Sequence, residues 1–276
     1  MNFYDILFAK SLSGGGGGGG ESYLNDLKNV LARSGSALTV PDGVTTLGSH
    51  ACGYWSSLNQ VTLPSGITKI SAGAFTECEN LRTINLPGSI TTIESDAFSN
   101  CMSLDIPELP DSVVSLGGSA FAGCTALKWV RLPSGLTHIP MNALTECRNI
   151  ELTSLPSGVT VIDPYAFRNC TKLALTSLPG VLTRINTSAF ENCVNLAITE
   201  IPSSVTHILA GAFRGCTSLT TLTFKGDPAV GLPSSIAANA FSGCTNLTEI
   251  NVHWSEGAVA NAPWGATGAT INYNVT

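Results

Sequence analysis

The chain has 276 residues, of which 43% are hydrophobic and only 12% charged. That is enough apolar material for a sizeable core and argues against general disorder. A net charge of −6 with no run of Lys or Arg disfavours nucleic acid and anionic membranes as partners, and no apolar stretch approaches the ~18 residues of a membrane span.

Residues 1–13, MNFYDILFAKSLS, form an apolar head with Phe3, Tyr4, Ile6, Leu7 and Phe8. It does not read as a signal peptide, because Asp5 interrupts the apolar stretch and positive charge comes after it rather than before. Residues 14–21 are a glycine run closed by Glu21. A phosphate loop would need Gly-Lys-Ser/Thr there, so the run reads as a flexible linker. Residues 22–34 place Tyr23, Leu24, Leu27, Val30 and Leu31 on one helical face, with Ser22 as N-cap and Gly35 as stop. This predicts a helix that caps the first coil of a repeat region.

From 35 to 253 the chain repeats. Cysteines fall every 23 residues from Cys78 to Cys216, with Cys52 before and Cys244 after. Aligning VTTLGSHACGYWSSL (44–58) with ITTIESDAFSNCMSL (90–104) puts Trp55 in the cysteine column and Cys52 in a phenylalanine column. Each coil takes its name from the residue in its cysteine column, and offsets count from that residue. Offset +3 is Leu or Ile, +8 is Leu, Ile or Phe, +9 is Pro from Pro64 to Pro202, and +12 and +15 are aliphatic. Offsets +19 and +20 are Ala-Phe in most coils, with Leu144 replacing Phe once. A single 23-residue unit buries about six apolar side chains, each contributing ~1.5–3 kcal/mol. Ordering its backbone costs ~1–2 kcal/mol per residue. Only a stack of such units is stable.

The pattern predicts a short strand at +3 to +8, ended by the proline that lacks an N–H, then a turn, a return path and a short helical turn at Ala-Phe. The middle apolar residue sits at +6 in Ile84, Val130 and Leu222 but at +5 in Ile106, Leu152, Leu175 and Ile198. Period-2 alternation then requires two strand geometries mixed along one sheet. After 253, residues 254–276 carry Trp254, Trp264 and Tyr273, which can cover the last core layer as a C-terminal cap.

The repeat, of which LRTINLPGSITTIESDAFSNC (81–101) is a clear copy, resembles the BspA-like leucine-rich repeat family. The resemblance implies an α/β repeat: a leucine-rich-repeat solenoid, a curved right-handed coil with a parallel β-sheet on the inner face and short strand, 3-10 or helical turns on the outer face. It also implies an extracellular, adhesive, non-enzymatic protein. The usual leucine-rich asparagine position carries no Asn ladder here. The start of the chain is similar to N-termini of prophage tail or virion proteins from Gram-positive gut bacteria, and the tail (252–274) to C-terminal segments of gut-bacterial family members.

Chemistry-bearing constellations are missing. Eight cysteines share one column with no CxxC pair, so they read as buried thiols rather than a metal site. His138 and His207 share offset +14 but lie three coils apart, on the order of 14 Å. No nucleophile elbow, zinc-protease or paired-carboxylate signature appears. No enzyme, cofactor or metal site is expected.

A partner would meet the outward strand positions. Coils 78 to 147 place Arg82, Asn85, Asp105, Glu108, Lys128, Trp129, Arg131 and Glu151 there, whereas later coils carry mostly Ala, Ser and Thr. Trp and Arg dominate binding energetics, so Trp129 is the expected anchor for a protein or cell-surface glycan. The leading functional reading is a virion-associated appendage or receptor-binding protein attached to a larger assembly through residues 1–13. The alternatives are a cell-surface adhesin and a structural spacer.

Overall fold

The computed structural model describes residues 36–226 and 235–275. The expected apolar head (1–13), glycine linker (14–21) and capping helix (22–34) lie outside the described residues. The strands are β1 (Ala37–Thr39), β2 (Thr46–Leu47), β3 (Gln60–Thr62), β4 (Lys69–Ile70), β5 (Thr83–Ile84), β6 (Thr92–Ile93), β7 (Ser115–Leu116) and β8 (His138–Ile139). They continue as β9 (Val161–Ile162), β10 (Arg184–Ile185), β11 (Glu200–Ile201), β12 (His207–Ile208), β13 (Thr221–Phe224), β14 (Ser235–Ile236), β15 (Glu249–Val252) and β16 (Thr270–Asn272). All pairing is parallel, and equivalent residues of successive coils face each other, as in Lys69 beside Thr92 and Arg184 beside His207. The chain is a parallel β-solenoid in which each coil contributes three legs.

The strand leg, +3 to +8, does have two geometries. Coils with the apolar residue at +6 form regular strands: Val61 lies in β3, Ile84 in β5, Leu222 in β13 and Ile250 in β15. Residues +6 and +8 are then in phase, which suits a pleated ladder. Coils with the apolar residue at +5 leave two residues between it and +8, so alternation fails. No strand forms around Ile106, Leu152 or Leu175, and in coil 193 only Glu200–Ile201 pairs. One mixed sheet was expected. Instead two sheets, β1-β3-β5 and β11-β13-β15-β16, are separated by coils with an irregular strand leg.

A second ladder at +14 and +15 is more continuous. It forms two sheets, β2-β4-β6-β7 and β14-β12-β10-β9-β8, that break between Leu116 and His138. Proline at +9 supplies the corner before it, since the carbonyls of Pro87, Pro110 and Pro156 accept the N–H of Ile90, Val113 and Val159.

The third leg corrects the fold class. No helix is present among the described residues, so the α/β assignment and the helical turns at Ala-Phe do not hold. The leg is a run of tight turns. Left-handed backbone recurs at two columns, for example at Asp96 and Asn100, Asn142 and Glu146, and Ser188 and Asn192. That reversal stops helical propagation and aims alternate N–H groups at the next coil. Phe98, Asn100, Phe190 and Asn192 donate across to Ala120, Ala122, Ala212 and Arg214 over 2.7–2.8 Å. Intervening N–H groups close the turns within the coil, as Ser99 does to Asp96. All of these main-chain groups are satisfied without a helix.

The interior consists of columns. Phe75, Phe98 and Phe121 stack at 5.3 and 5.1 Å, and Phe167, Phe190, Phe213 and Phe241 at 5.5, 5.4 and 5.2 Å. Leu144 interrupts the two stacks. All nine cysteines are free and buried. Beyond Val252, Trp254 and Trp264 are buried against Phe224, and β16 adds a final strand beside β15.

Candidate binding surface

The eight candidate residues do not all reach the surface. Trp129, the expected anchor, is fully buried, and Val130 beside it is 60% exposed. Coil 124 therefore belongs with the +5 coils, and the anchor expected from the sequence is lost. Three physical reasons favour this choice. Burying an indole removes far more apolar area from water than burying a valine. Its Nε1–H donates to the Ile106 carbonyl at 3.0 Å. Its ring meets Phe121 edge-on at 4.8 Å, where the phenylalanine column next steps down to Leu144.

Asn85 is exposed but already engaged. Its side chain accepts from the Leu63 N–H and donates to the Leu63 carbonyl, so it extends the β3–β5 ladder by one amide.

The remaining six form two columns of charge. At +4 the order is Arg82, Asp105, Lys128, Glu151, alternating in sign from coil to coil. Lys128 pairs with Asp105 at 3.3 Å, and Glu151 with Lys172 at 3.5 Å. At +7, Arg131 bridges Glu108 at 2.9 Å and Asp111 at 2.7 Å. The carboxylates of Asp111 and Glu108 push the Arg131 pKa above its ordinary value. These pairs are solvent-exposed and so add little to the stability of the fold. Arg82 differs from the others. Among the described residues it is the Lys or Arg that has neither an ion pair nor a side-chain hydrogen bond.

Open depressions occur on this face at each change of strand geometry. One, about 470 Å³, lies between coils 78 and 124 and is lined by Arg82, Thr83, Met102, Ser103, Asp105 and Ala126. Another, about 340 Å³, lies where coils 170 and 193 meet coil 216 and includes Thr176, Thr199, Glu200 and Lys225.

Polar columns missed from the sequence run along the other legs. On the turn leg, Asn100 donates to Glu77, Asn169 to Glu146 and Asn192 to Asn169. This is an Asn/Glu ladder, in a column of left-handed residues rather than after the strand. The signal was present, since that column reads Glu77, Asn100, Gly123, Glu146, Asn169, Asn192, Gly215, and Asn and Gly tolerate left-handed backbone. Burial pushes the Glu146 pKa up, but the Arg148 and Asn169 hydrogen bonds outweigh it and leave it lowered. On the second ladder, His138 Nε2 lies 2.7 Å from Asp163, which accepts from Asn186. His207 lies three strands from His138 in β14-β12-β10-β9-β8. Among the described residues no group of three His, Cys, Asp or Glu converges on a metal position, and no helix is long and apolar enough to cross a membrane.

Comparison with known proteins agrees with this geometry. No curated protein matches the chain. A solved leucine-rich repeat protein from Bacteroides ovatus ATCC 8483 is 22% identical over 86% of this chain and 68% of its own, with a TM-score of 0.59, a likeness of fold. A T. pallidum leucine rich repeat protein is 31% identical over 59% of this chain and 78% of its own, with a TM-score of 0.52. The model of the BspA type leucine rich repeat region matches in six copies, over residues 33–151, 91–220 and 228–256. With the repeat frame, the buried columns and most of its length accounted for by that model, the chain belongs to the BspA type leucine rich repeat family.

Proposed function

We propose that this is a non-enzymatic binding protein that presents the outward columns of its strand leg to a protein or glycan on a cell surface. One observation carries the reading. The inward columns repeat from coil to coil because stacking demands it, whereas the outward +4 and +7 positions do not repeat. They concentrate charge in coils 78 to 147 and turn mostly to Ala, Ser and Thr afterwards, with Glu200 the exception. Nothing in the stacking requires that local concentration. The ion pairs hold the side chains in place before contact, which lowers the ordering cost of binding.

The finer reading places the protein on a virion or tail, docked through residues 1–13 with the glycine run as tether. The support is compositional: an apolar head followed by a seven-glycine run and then the repeats. The same face would serve an adhesin or extracellular protein.

The test is binding of labelled full-length chain to intact bacterial cells and immobilised envelope glycans. Joint replacement of Lys128, Arg131 and Glu151 by Ser abolishes binding under this reading. Joint replacement of Arg168 and Arg214, which pair with Glu191 on the turn leg, leaves it intact. A chain that binds nothing in such a screen is a spacer, and the proposal falls.

A further inference from the structure

We propose that the depression between coils 78 and 124 is a subsite for an acidic sugar residue, with Arg82 holding its carboxylate. The inference rests on the binding reading above and names where and what that face binds.

Four observations converge. First, among the described residues Arg82 is the Lys or Arg with neither an ion pair nor a side-chain hydrogen bond, on a chain of net charge −6. A guanidinium presents a rigid fork of donors suited to a carboxylate, and here that fork is not engaged within the protein. Second, it lines an open depression of about 470 Å³ on the strand face. Third, the other lining groups fit a sugar ring rather than a bare anion. Thr83 and Ser103 supply hydroxyls, the Asp105 carboxylate can accept from ligand hydroxyls, and the half-exposed Met102 with Ala126 offers an apolar wall for ring C–H groups. Fourth, the wall is fixed at the main chain. Arg82 donates to Asn59 O at 2.8 Å and accepts from Asp105 N–H at 2.9 Å, Ser103 donates to Glu79 O, and Ala126 to Met102 O. The site is preorganised in the sense that favours weak, small ligands.

Asp105 opposes an anion, but Lys128 lies 3.3 Å from it. The charges around the depression are therefore Arg82, Asp105 and Lys128, a surplus of one positive charge. The depression exists because the strand geometry changes here. β5 ends the regular sheet, and coil 101 begins the irregular strand leg.

The experiment is an amide-shift titration of the full-length protein with methyl β-D-glucuronide. Methyl β-D-glucoside supplies the hydroxyls without the charge, and acetate the charge without the hydroxyls. The proposal expects saturable shifts at Arg82, Thr83 and Ser103 with a Kd on the order of 1 mM. It expects about tenfold weakening in Arg82→Gln, partial loss in Arg82→Lys, and no change in Arg168→Gln on the turn leg. Absence of saturable shifts with the glucuronide overturns it, as does undiminished binding by Arg82→Gln. Acetate binding as tightly as the glucuronide overturns the sugar assignment. Cell binding that survives while the glucuronide fails removes this subsite and leaves the broader function standing.

Discussion

The Cys124 thiol donates to the carbonyl of Phe98 in the preceding coil over 3.0 Å, and the same oxygen accepts the Cys101 N–H at 3.1 Å. The arrangement recurs from Cys101 onto Phe75 to Cys244 onto Phe213. A cysteine at this position is both a small apolar filler and a donor that satisfies the second lone pair of a buried carbonyl. Alanine would supply neither volume nor proton. Cys124→Ala is expected to lower stability by about 1–2 kcal/mol, measured as the urea midpoint. Cys124→Ser keeps a donor and is expected to lose less. An alanine variant as stable as the parent would contradict the role given to the thiol.

Burial pushes the thiol pKa up in Cys101, Cys124, Cys147, Cys170, Cys193 and Cys216, and in Cys244 to about 11. In the unfolded chain these groups titrate near ~8.5. A raised folded pKa contributes stability that is complete below the unfolded value and is lost as pH rises toward the folded one. The urea midpoint is therefore expected to stay level up to about pH 8 and to fall steeply above about pH 9. A midpoint level through that upper range would contradict shared burial.

Trp129 and Leu144 are expected to trade volume. Trp129→Ala leaves a core void and is expected to cost about 3–5 kcal/mol. Trp129→Leu combined with Leu144→Phe would extend the stack from Phe121 toward Phe167 and recover part of the loss. Denaturant unfolding of the single and double variants gives the coupling. Strict additivity would mean that the two sites are independent. Binding in Trp129→Leu should track its stability, because the indole does not reach the surface.

Asn169 has φ +61° and belongs to the turn-leg ladder. A β-branched residue is strained there, so Asn169→Val is expected to cost about 1–3 kcal/mol. Asn169→Gly keeps the backbone and loses only the side-chain bonds. Thermal unfolding separates them, and equal losses would show that the backbone conformation is not what selects the residue.

Much of the coil could be read from its residues. The frame shift at the start holds at atomic detail, since Cys78 Sγ donates to Cys52 O as the later cysteines donate to the Phe-column carbonyls, Leu144 among them, and Trp55 is buried in the cysteine column. The division into +5 and +6 coils marked where the strand leg changes, but strands were expected in both, and the +5 legs are irregular. It failed at Lys128-Trp129-Val130, because both central residues are apolar and alternation cannot choose between them. That choice depends on how much room the neighbouring column leaves, a property of packing rather than of local pattern. The helical turn was misassigned because Ala-Phe favours helix locally, while the left-handed residues on either side decide the path. The charge alternation of Arg82, Asp105, Lys128 and Glu151 was legible in the column, but which cation stays unpaired depends on side-chain reach.

The most direct test of the central claim is a thiol count with a chromogenic disulfide reagent on native and urea-unfolded protein. If the coils share one interior and leave only the outward columns for a partner, the native chain shows no fast-reacting thiol and the unfolded chain shows all nine, with Cys244 the first to emerge as denaturant is raised. Rapid labelling of several cysteines in the native protein would contradict the stacked interior and the surface assignment built on it.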